Sequence, residues 1–186
     1  MGKISKVLLV LCVATFLFPM SVMAEKNPEE LAKETEEACT ASAKTKPTIA
    51  MITEKVNKAC ALLEKEGKAA FPKLKGKDSE FIFAGTYIWI HDLDGVMCMH
   101  PIKPKMEGQR LIGLKDSNGK FLFADMNKVA KEKGSGWVDY MWPKPGEQNP
   151  SRKVSFVKLC KVDGEDLVVG CGVYDLPEAE VDKLVK

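Results

Sequence analysis

Histidine is scarce here, with two in 186 residues, and no two cysteines are spaced C-x-x-C. A thioredoxin-type redox motif and a c-type haem attachment therefore both lack their signature. There is no G-x-S-x-G nucleophile elbow, no H-E-x-x-H helix and no phosphate loop. Beyond residue 24 no apolar run is long enough to cross a membrane. An excess of one charge sign is also missing, since 28 Lys and Arg face 26 Asp and Glu. A balanced surface gives no electrostatic basis for nucleic-acid binding, which needs clustered positive charge. Internal repeats and low-complexity tracts are absent as well. These absences remove the common catalytic and nucleic-acid classes, so the chain is expected to be neither an enzyme nor a cofactor carrier.

The first two dozen residues have the pattern of an export signal. Lys3 and Lys6 precede an apolar run from Val7 to Phe18, and small residues lead to Val22-Met23-Ala24 before the polar Glu25-Lys26-Asn27. A basic start, a short apolar core and a small-residue cleavage site describe a secretory signal peptide over residues 1–24. The rival reading is an uncleaved anchor, but the run is shorter than the ~20 residues of a membrane span. Cleavage would remove two lysines and no acid, leaving 26 residues of each sign. The 162 residues that remain suffice for one domain with a core. The expected location is the bacterial periplasm or the medium. Five cysteines remain there, Cys39, Cys60, Cys98, Cys160 and Cys171. Oxidising surroundings favour pairing, and an odd count leaves at least one thiol free or joined to a second chain.

Asn27-Pro28-Glu29-Glu30 reads as a helix start, with Asn27 as cap and Pro28 in the first turn. Leu31, Thr35, Ala38, Cys39 and Ser42 then share a stripe, and Pro47 breaks or kinks that helix. A second helical face carries Ile49, Ile52, Val56, Ala59, Cys60 and Leu63 and ends at Gly67. A Cys39–Cys60 bridge fits neither arrangement of the two helices. Folded back at the proline they leave ~12 Å between the cysteines, and as one rod ~30 Å, against the ~7 Å a disulfide tolerates. From Glu80 the period becomes two. "TYIWIHDLDGVMCMH" reads as strand, turn and strand, with Asp94-Gly95 as the turn. Pro101 to Gly113 reads as a loop, and Leu122, Met126, Val129 and Ala130 as a helix closed by Gly134. "GWVDYMW", "RKVSFVKLC" and "DLVVGCGVY" are three further strands. Cys160 and Cys171 on the last two are roughly diagonal, which makes a direct bridge difficult without a bulge. The order predicts an α+β fold, an antiparallel sheet covered by helices.

Met97-Cys98-Met99-His100 places four soft-metal ligand types in succession. Strand alternation puts Met97 and Met99 on one face and Cys98 and His100 on the other. The four therefore do not converge on one ion. With Asp92 to Gly95 as the turn, His91 lies opposite Val96 and reaches Cys98 only diagonally. Methionine as adaptable core filler is the plainer expectation. A soft-metal or thiol-redox protein using Met97, Cys98, Met99 and His100 is the alternative reading of function.

"YIWIHDLDGVMCMHP", "GQRLIGLKDSNGKFLFADMNKVAKEKGSGWVDYMWPKP", "KVSFVKL" and "GCGVYD" together resemble a single Cache domain, an extracytoplasmic PAS-like sensor domain. The resemblance spans residues 48–175. It rests on Asp94-Gly95 with His100-Pro101, Asp116 with Gly119, Gly134-x-Gly136-Trp137, Tyr140-x-Trp142-Pro143, Lys153 and Gly170-x-Gly172-x-Tyr174. It implies a long N-terminal helical element packed on a five-stranded antiparallel sheet, with a small ligand pocket on the other sheet face. Residues 25–47 would be a helical extension and 176–186 a tail. Members with known ligands mostly bind small molecules such as short organic acids. The chain ends eleven residues after Asp175 without a membrane helix or transmitter, so a free exported binding domain is expected. It would either present its ligand to a partner, a membrane receptor or kinase, or simply hold it. An unpaired cysteine or the N-terminal helix could join two copies as a homodimer.

The resemblance assigns ligand contacts to named residues. A carboxylate needs a cation or neutral donors in a mostly apolar cavity, and Lys153 matches the family's lysine. Tyr140 and Trp142 share a strand face, each with an apolar body and one polar group. His100 ends the second strand and either donates to a carboxylate or ties down the Pro101 loop. Tyr87 and Trp89 are weaker candidates whose sheet face is open, and Arg110 sits in the loop that would close the pocket, where an exposed arginine is the default reading. Phe156 stands where the family often has tyrosine, which would remove one hydroxyl from the site.

Overall fold

Two runs of residues punctuated by prolines and glycines set the helical layer. In a computed structural model describing residues 26–185, α1 spans Pro28–Ser42 and α2 spans Ile49–Glu66. The signal-peptide residues lie outside the described range. Asn27 caps α1 by accepting the Glu29 N–H at 3.0 Å, and Thr48 caps α2 by accepting the Met51 N–H at 3.2 Å. Each leaves one fewer orphan amide in a first turn. Gly67 closes α2 at φ +67°, a conformation that costs glycine nothing. A 3₁₀ segment, Gly67–Leu74, continues from it. Among the described residues no helix is long and apolar enough to cross a membrane.

The strands are β1 (Ile82–Phe83), β2 (Thr86–Asp92), β3 (Met97–Met99), β4 (Ser135–Pro143), β5 (Pro150–Val162) and β6 (Glu165–Tyr174). All pairings are antiparallel, in the order β1-β2-β6-β5-β4, with β3 also on β2. Helix α3 (Leu122–Lys133) joins β3 to β4, and α4 (Glu178–Leu184) follows β6. The sheet thus has six strands where the sequence pattern predicts five. The extra one, β1, is too short for a period to register. Its turn, Ala84-Gly85, has φ +45° and +76°, the positive pair of a tight hairpin, with alanine where glycine or asparagine would have signalled it.

Two cores lie on opposite faces of this sheet. On one, Ile52, Val56, Ala59 and Leu63 of α2 pack on Ile88, Ile90, Leu167 and Val169. On the other, Leu122, Phe123, Met126 and Ala130 of α3 pack over Tyr87, Trp89, Tyr140 and Val157. The α2 face carries a covalent tie that the sequence left open. Cys60 is bonded to Cys160 across a Cα separation of 5.7 Å, well within disulfide reach. Cys39, Cys98 and Cys171 are free thiols.

One predicted face assignment is wrong. The register pairs His91 with Met97 and Ile90 with Met99, so Cys98 is the extra residue of a β-bulge. Met97 therefore falls in the α3-side core and Met99 in the α2-side core. Alternation counted along the sequence would have kept them together. The turn is also one residue shorter than predicted, since Asp92 and Val96 close a loop over 93–95. The Asp92 N–H donates to the Val96 carbonyl at 3.0 Å, and Asp92 Oδ1 accepts from the Asp94 and Val96 N–H groups at 2.9 and 2.8 Å. His91 consequently faces Met97, not Val96.

Candidate functional site

Strand geometry collects the aromatic residues. Side chains alternate across a sheet, so Tyr87 and Trp89 of β2, Tyr140 and Trp142 of β4, and Lys153 of β5 all rise on the α3 side. With His100 and Met97 they enclose a pocket roofed by Leu122, Phe123 and Met126. Lys153 sits in the middle of one row, paired with Tyr140 on one flank and Tyr174 on the other. Two glycines of β6 make the room. A Cβ on Gly170 would lie 2.3 Å from Trp89 Cζ2, and one on Gly172 would lie 2.8 Å from Lys153 Cε. Trp89 and Lys153 thus lie directly on bare backbone. The free space inside is about 10 Å³, close to what one water needs.

Lys153 is the electrostatic centre. It is 1% exposed, and its ammonium stands 4.4, 4.9 and 5.1 Å from the ring centroids of Tyr87, Tyr174 and Trp89. Such contacts are worth about 0.5–2 kcal/mol and offset part of the cost of burying the charge. Among the described residues no carboxylate pairs with it and no acceptor takes its hydrogens. Burial lowers its pKa to about 8, because the charged form has left water.

The groups around it are donors without acceptors. The Tyr87 hydroxyl is buried with no hydrogen-bond partner. It lies near the Trp142 and Tyr174 side chains without meeting hydrogen-bond geometry to either. His100 is 3% exposed. Its Nδ1 accepts the Lys103 and Ile102 N–H groups at 3.1 and 3.4 Å, which leaves the proton on Nε2 as a donor. Burial, followed by the cations Lys153, Lys103 and Lys75, holds its pKa well below the usual histidine range, so the ring is neutral. The nearby Glu107 is already engaged, accepting from the His100 N–H at 2.8 Å and from Lys75 Nζ at 2.6 Å. Tyr140 is the exception, since its hydroxyl meets Ser155 Oγ at 3.0 Å. A buried cation and unpaired donors with no anion call for an acceptor-rich guest.

The structure brings six of the seven predicted residues together: Tyr87, Trp89, His100, Tyr140, Trp142 and Lys153. Arg110 does not join them. A backbone bridge to Val96 holds its segment against the outside of the β2–β3 turn, and its Nε donates to the Asp94 carbonyl at 3.2 Å. Its side chain is exposed. Phe156 is also elsewhere, packed on Trp137 at 5.3 Å between centroids on the α2 face. Being one residue out of phase with Lys153 and Ser155, it adds and removes nothing at the pocket. The residues missed are Met97, hidden by the bulge, Ser155, which alternation from Lys153 would have found, and the α3 roof. Asp116 holds the loop before that roof. Its Oδ1 accepts the Asn118 and Lys120 N–H groups, and its Oδ2 the Met141 N–H, all at 2.9 Å.

Met97 and His100 line the pocket, while Cys98 and Met99 belong to the other side of the sheet. Among the described residues no cluster of three His, Cys, Asp or Glu could hold a metal ion.

An antiparallel sheet with α2 on one face and a polar-aromatic pocket roofed by α3 on the other is the layout of a PAS-like sensor domain. The Cache domain pattern matches residues 23–183, and the chain belongs to that family. Over 88 residues it is 41% identical to the methyl-accepting chemotaxis protein McpP of Pseudomonas putida, and over 88 residues 34% identical to the sensor histidine kinase MctS of Rhizobium johnstonii. Each match takes in 47% of this chain, and 16% and 18% of those proteins. The chain therefore matches less than a fifth of the length of these curated relatives. A methyl-accepting chemotaxis protein from Vibrio parahaemolyticus, solved by crystallography, is 25% identical with a TM-score of 0.55. That match covers 78% of this chain and 96% of the solved one.

Proposed function

We propose that this Cache domain binds a small organic acid in the α3-side pocket and acts outside the cytoplasm as a sensor or presenting protein for a membrane receptor or kinase. The observation that carries the reading is the buried, unpaired Lys153 ammonium. Its own fold supplies three ring faces and no anion, so a carboxylate completes the site. Lys153 supplies the charge, the Tyr87 hydroxyl and His100 Nε2–H donate to the carboxylate oxygens, and Trp89, Tyr140 and Trp142 wall the apolar part. The chemistry is binding, with no nucleophile and no bond made or broken. Entry requires the roof or a wall ring to move, because the closed pocket is smaller than any acid.

Thermal unfolding with a panel of short organic acids tests this. A ligand that binds only the native state raises Tm with the logarithm of its concentration over Kd, a stabilisation of about 2.7 kcal/mol at a hundredfold excess. Lys153→Met keeps the volume and removes the charge. The variant should fold with equal or greater stability, since an unpaired buried charge is gone, and lose the acid-induced shift. A panel that shifts nothing, or a shift that survives Lys153→Met, would refute the assignment.

A further inference from the structure

A second space lies beyond Lys153, separated from it by Gly172 and Tyr174. A cavity of about 240 Å³ lies where the α1–α2 connection, the Ala84-Gly85 turn, the β4–β5 connection and the end of β6 meet. The aromatic pocket, by contrast, has about 10 Å³. Two of its lining residues, Gly172 and Tyr174, are also Lys153's immediate neighbours. Lys153 Cε runs 2.8 Å from where a Gly172 Cβ would be, and the Tyr174 ring lies 4.9 Å from the ammonium. Tyr174 is the partition, held by its hydroxyl donating to the Pro143 carbonyl at 2.8 Å.

The charges at this cavity cancel. Lys144 Nζ pairs with Asp175 Oδ2 at 2.5 Å, and Lys46 Nζ donates to the Asp175 carbonyl at 3.1 Å. With Glu147 the lining holds two cations and two anions. Much of the rest is apolar: Ala43, Pro47, Ala84, Pro145 and Val173. The lining carries no net charge to draw in a second anionic group, whereas methylene groups meet an apolar wall.

We propose that this cavity is the tail compartment of the ligand site. The guest it fits is a monocarboxylic acid with an uncharged chain of several carbons, its head at Lys153 and its tail passing Gly172 and Tyr174. This rests on the reading of Lys153 as the anion-holding residue. Each methylene buried in the compartment should raise affinity about fourfold, the equivalent of ~0.8 kcal/mol.

Calorimetric titration of the purified protein with acetate, propionate, butyrate, valerate, hexanoate and octanoate tests it. The expected result is an affinity that climbs about fourfold per carbon from propionate to hexanoate. Thr45→Trp, at an exposed position on the cavity lining, should flatten the climb and leave propionate unchanged. Ala43→Leu fills the same space from α1's C-cap and should act alike. An affinity that peaks at acetate or propionate overturns the tail compartment and leaves the anion site standing. So does a climb that survives both substitutions. Binding that ignores Lys153→Met, or no binding by any acid, overturns both.

Discussion

The two faces of one sheet are built from the same strands and meet opposite requirements. On the α2 face, Ile88, Ile90, Leu167 and Val169 are fully buried against an apolar helix stripe, and a disulfide fixes that helix to β5. Every group there is satisfied by packing. On the α3 face the alternate residues of the same strands include Lys153, Ser155 and His91, all buried and polar. Tyr87 Oη and His91 Nδ1, two buried side-chain atoms without a partner among the described residues, lie on this face. One face stores stability, and the other holds groups whose interactions are completed by something outside the chain. Side-chain alternation makes this division possible, because a strand can change one face without touching the other.

Breaking the α2 face should give the largest effect. Cys60 and Cys160 are 100 residues apart, and the chain-entropy relation gives about 4–5 kcal/mol for closing a loop of that length. Cys60→Ser, or reduction of the native protein, should lower the denaturation midpoint accordingly. The acid-induced Tm shift should persist in whatever fraction stays folded, because neither cysteine lines the pocket. Urea titrations with and without reductant measure it. A reduced protein of unchanged stability would contradict the role given to this bond.

Acidification should weaken the α3 face selectively. His91 is fully buried with Nε2 at 3.0 Å from Asn127 Oδ1 and its ring edge-on to Phe123. Burial lowers its pKa to about 4, partly countered by the Asn127 bond, with no charged neighbour contributing. Above pH 6.5 the ring is neutral in both folded and unfolded chains. Between pH 6.5 and 4 only the unfolded chain takes up the proton, so stability falls as pH falls, by about 3 kcal/mol in all. His100 acts in the same direction. His91→Gln, which keeps a partner for Asn127, should flatten the slope in this window. A wild-type profile already flat from pH 6.5 to 4 would show that the ring is solvated.

Much of the α3 face was legible because period two is a local signal. Tyr87 and Trp89, Tyr140 and Trp142, and Lys153 each sit at the spacing that points them one way. What was not legible depends on offsets between segments. The bulge at Cys98 moves Met97 into the pocket and Met99 out of it, and no residue in "VMCM" announces the extra step. The Cys60–Cys160 bond needs α2 laid on β5, a choice of packing partner that helix periodicity leaves free. Arg110 was misplaced because a loop's composition does not say which way its backbone bridges. The α3 helix was legible, but its face over the pocket was not, since a stripe shows that a helix buries a side without saying against what.

The smallest contrast is the most specific. Gly170 and Ile90 lie on neighbouring strands one residue out of phase, and they serve different faces. Gly170→Ala would put a methyl 2.3 Å from the Trp89 ring, which has no flexible end to give way. Overpacking of this kind costs about 1–3 kcal/mol, and the displaced indole is a wall of the pocket, so acid binding should fall with it. Ile90→Val removes one methylene from the α2-side core and should cost about 0.5–1.5 kcal/mol with acid affinity unchanged. Calorimetric titration of both variants, each checked by thermal unfolding, separates the faces. Equal losses of affinity would mean that the pocket senses the whole sheet and not Trp89's seat on Gly170. Unequal losses would place the ligand's wall on the glycine notch, where a single hydrogen is the difference between a closed ring stack and a displaced one.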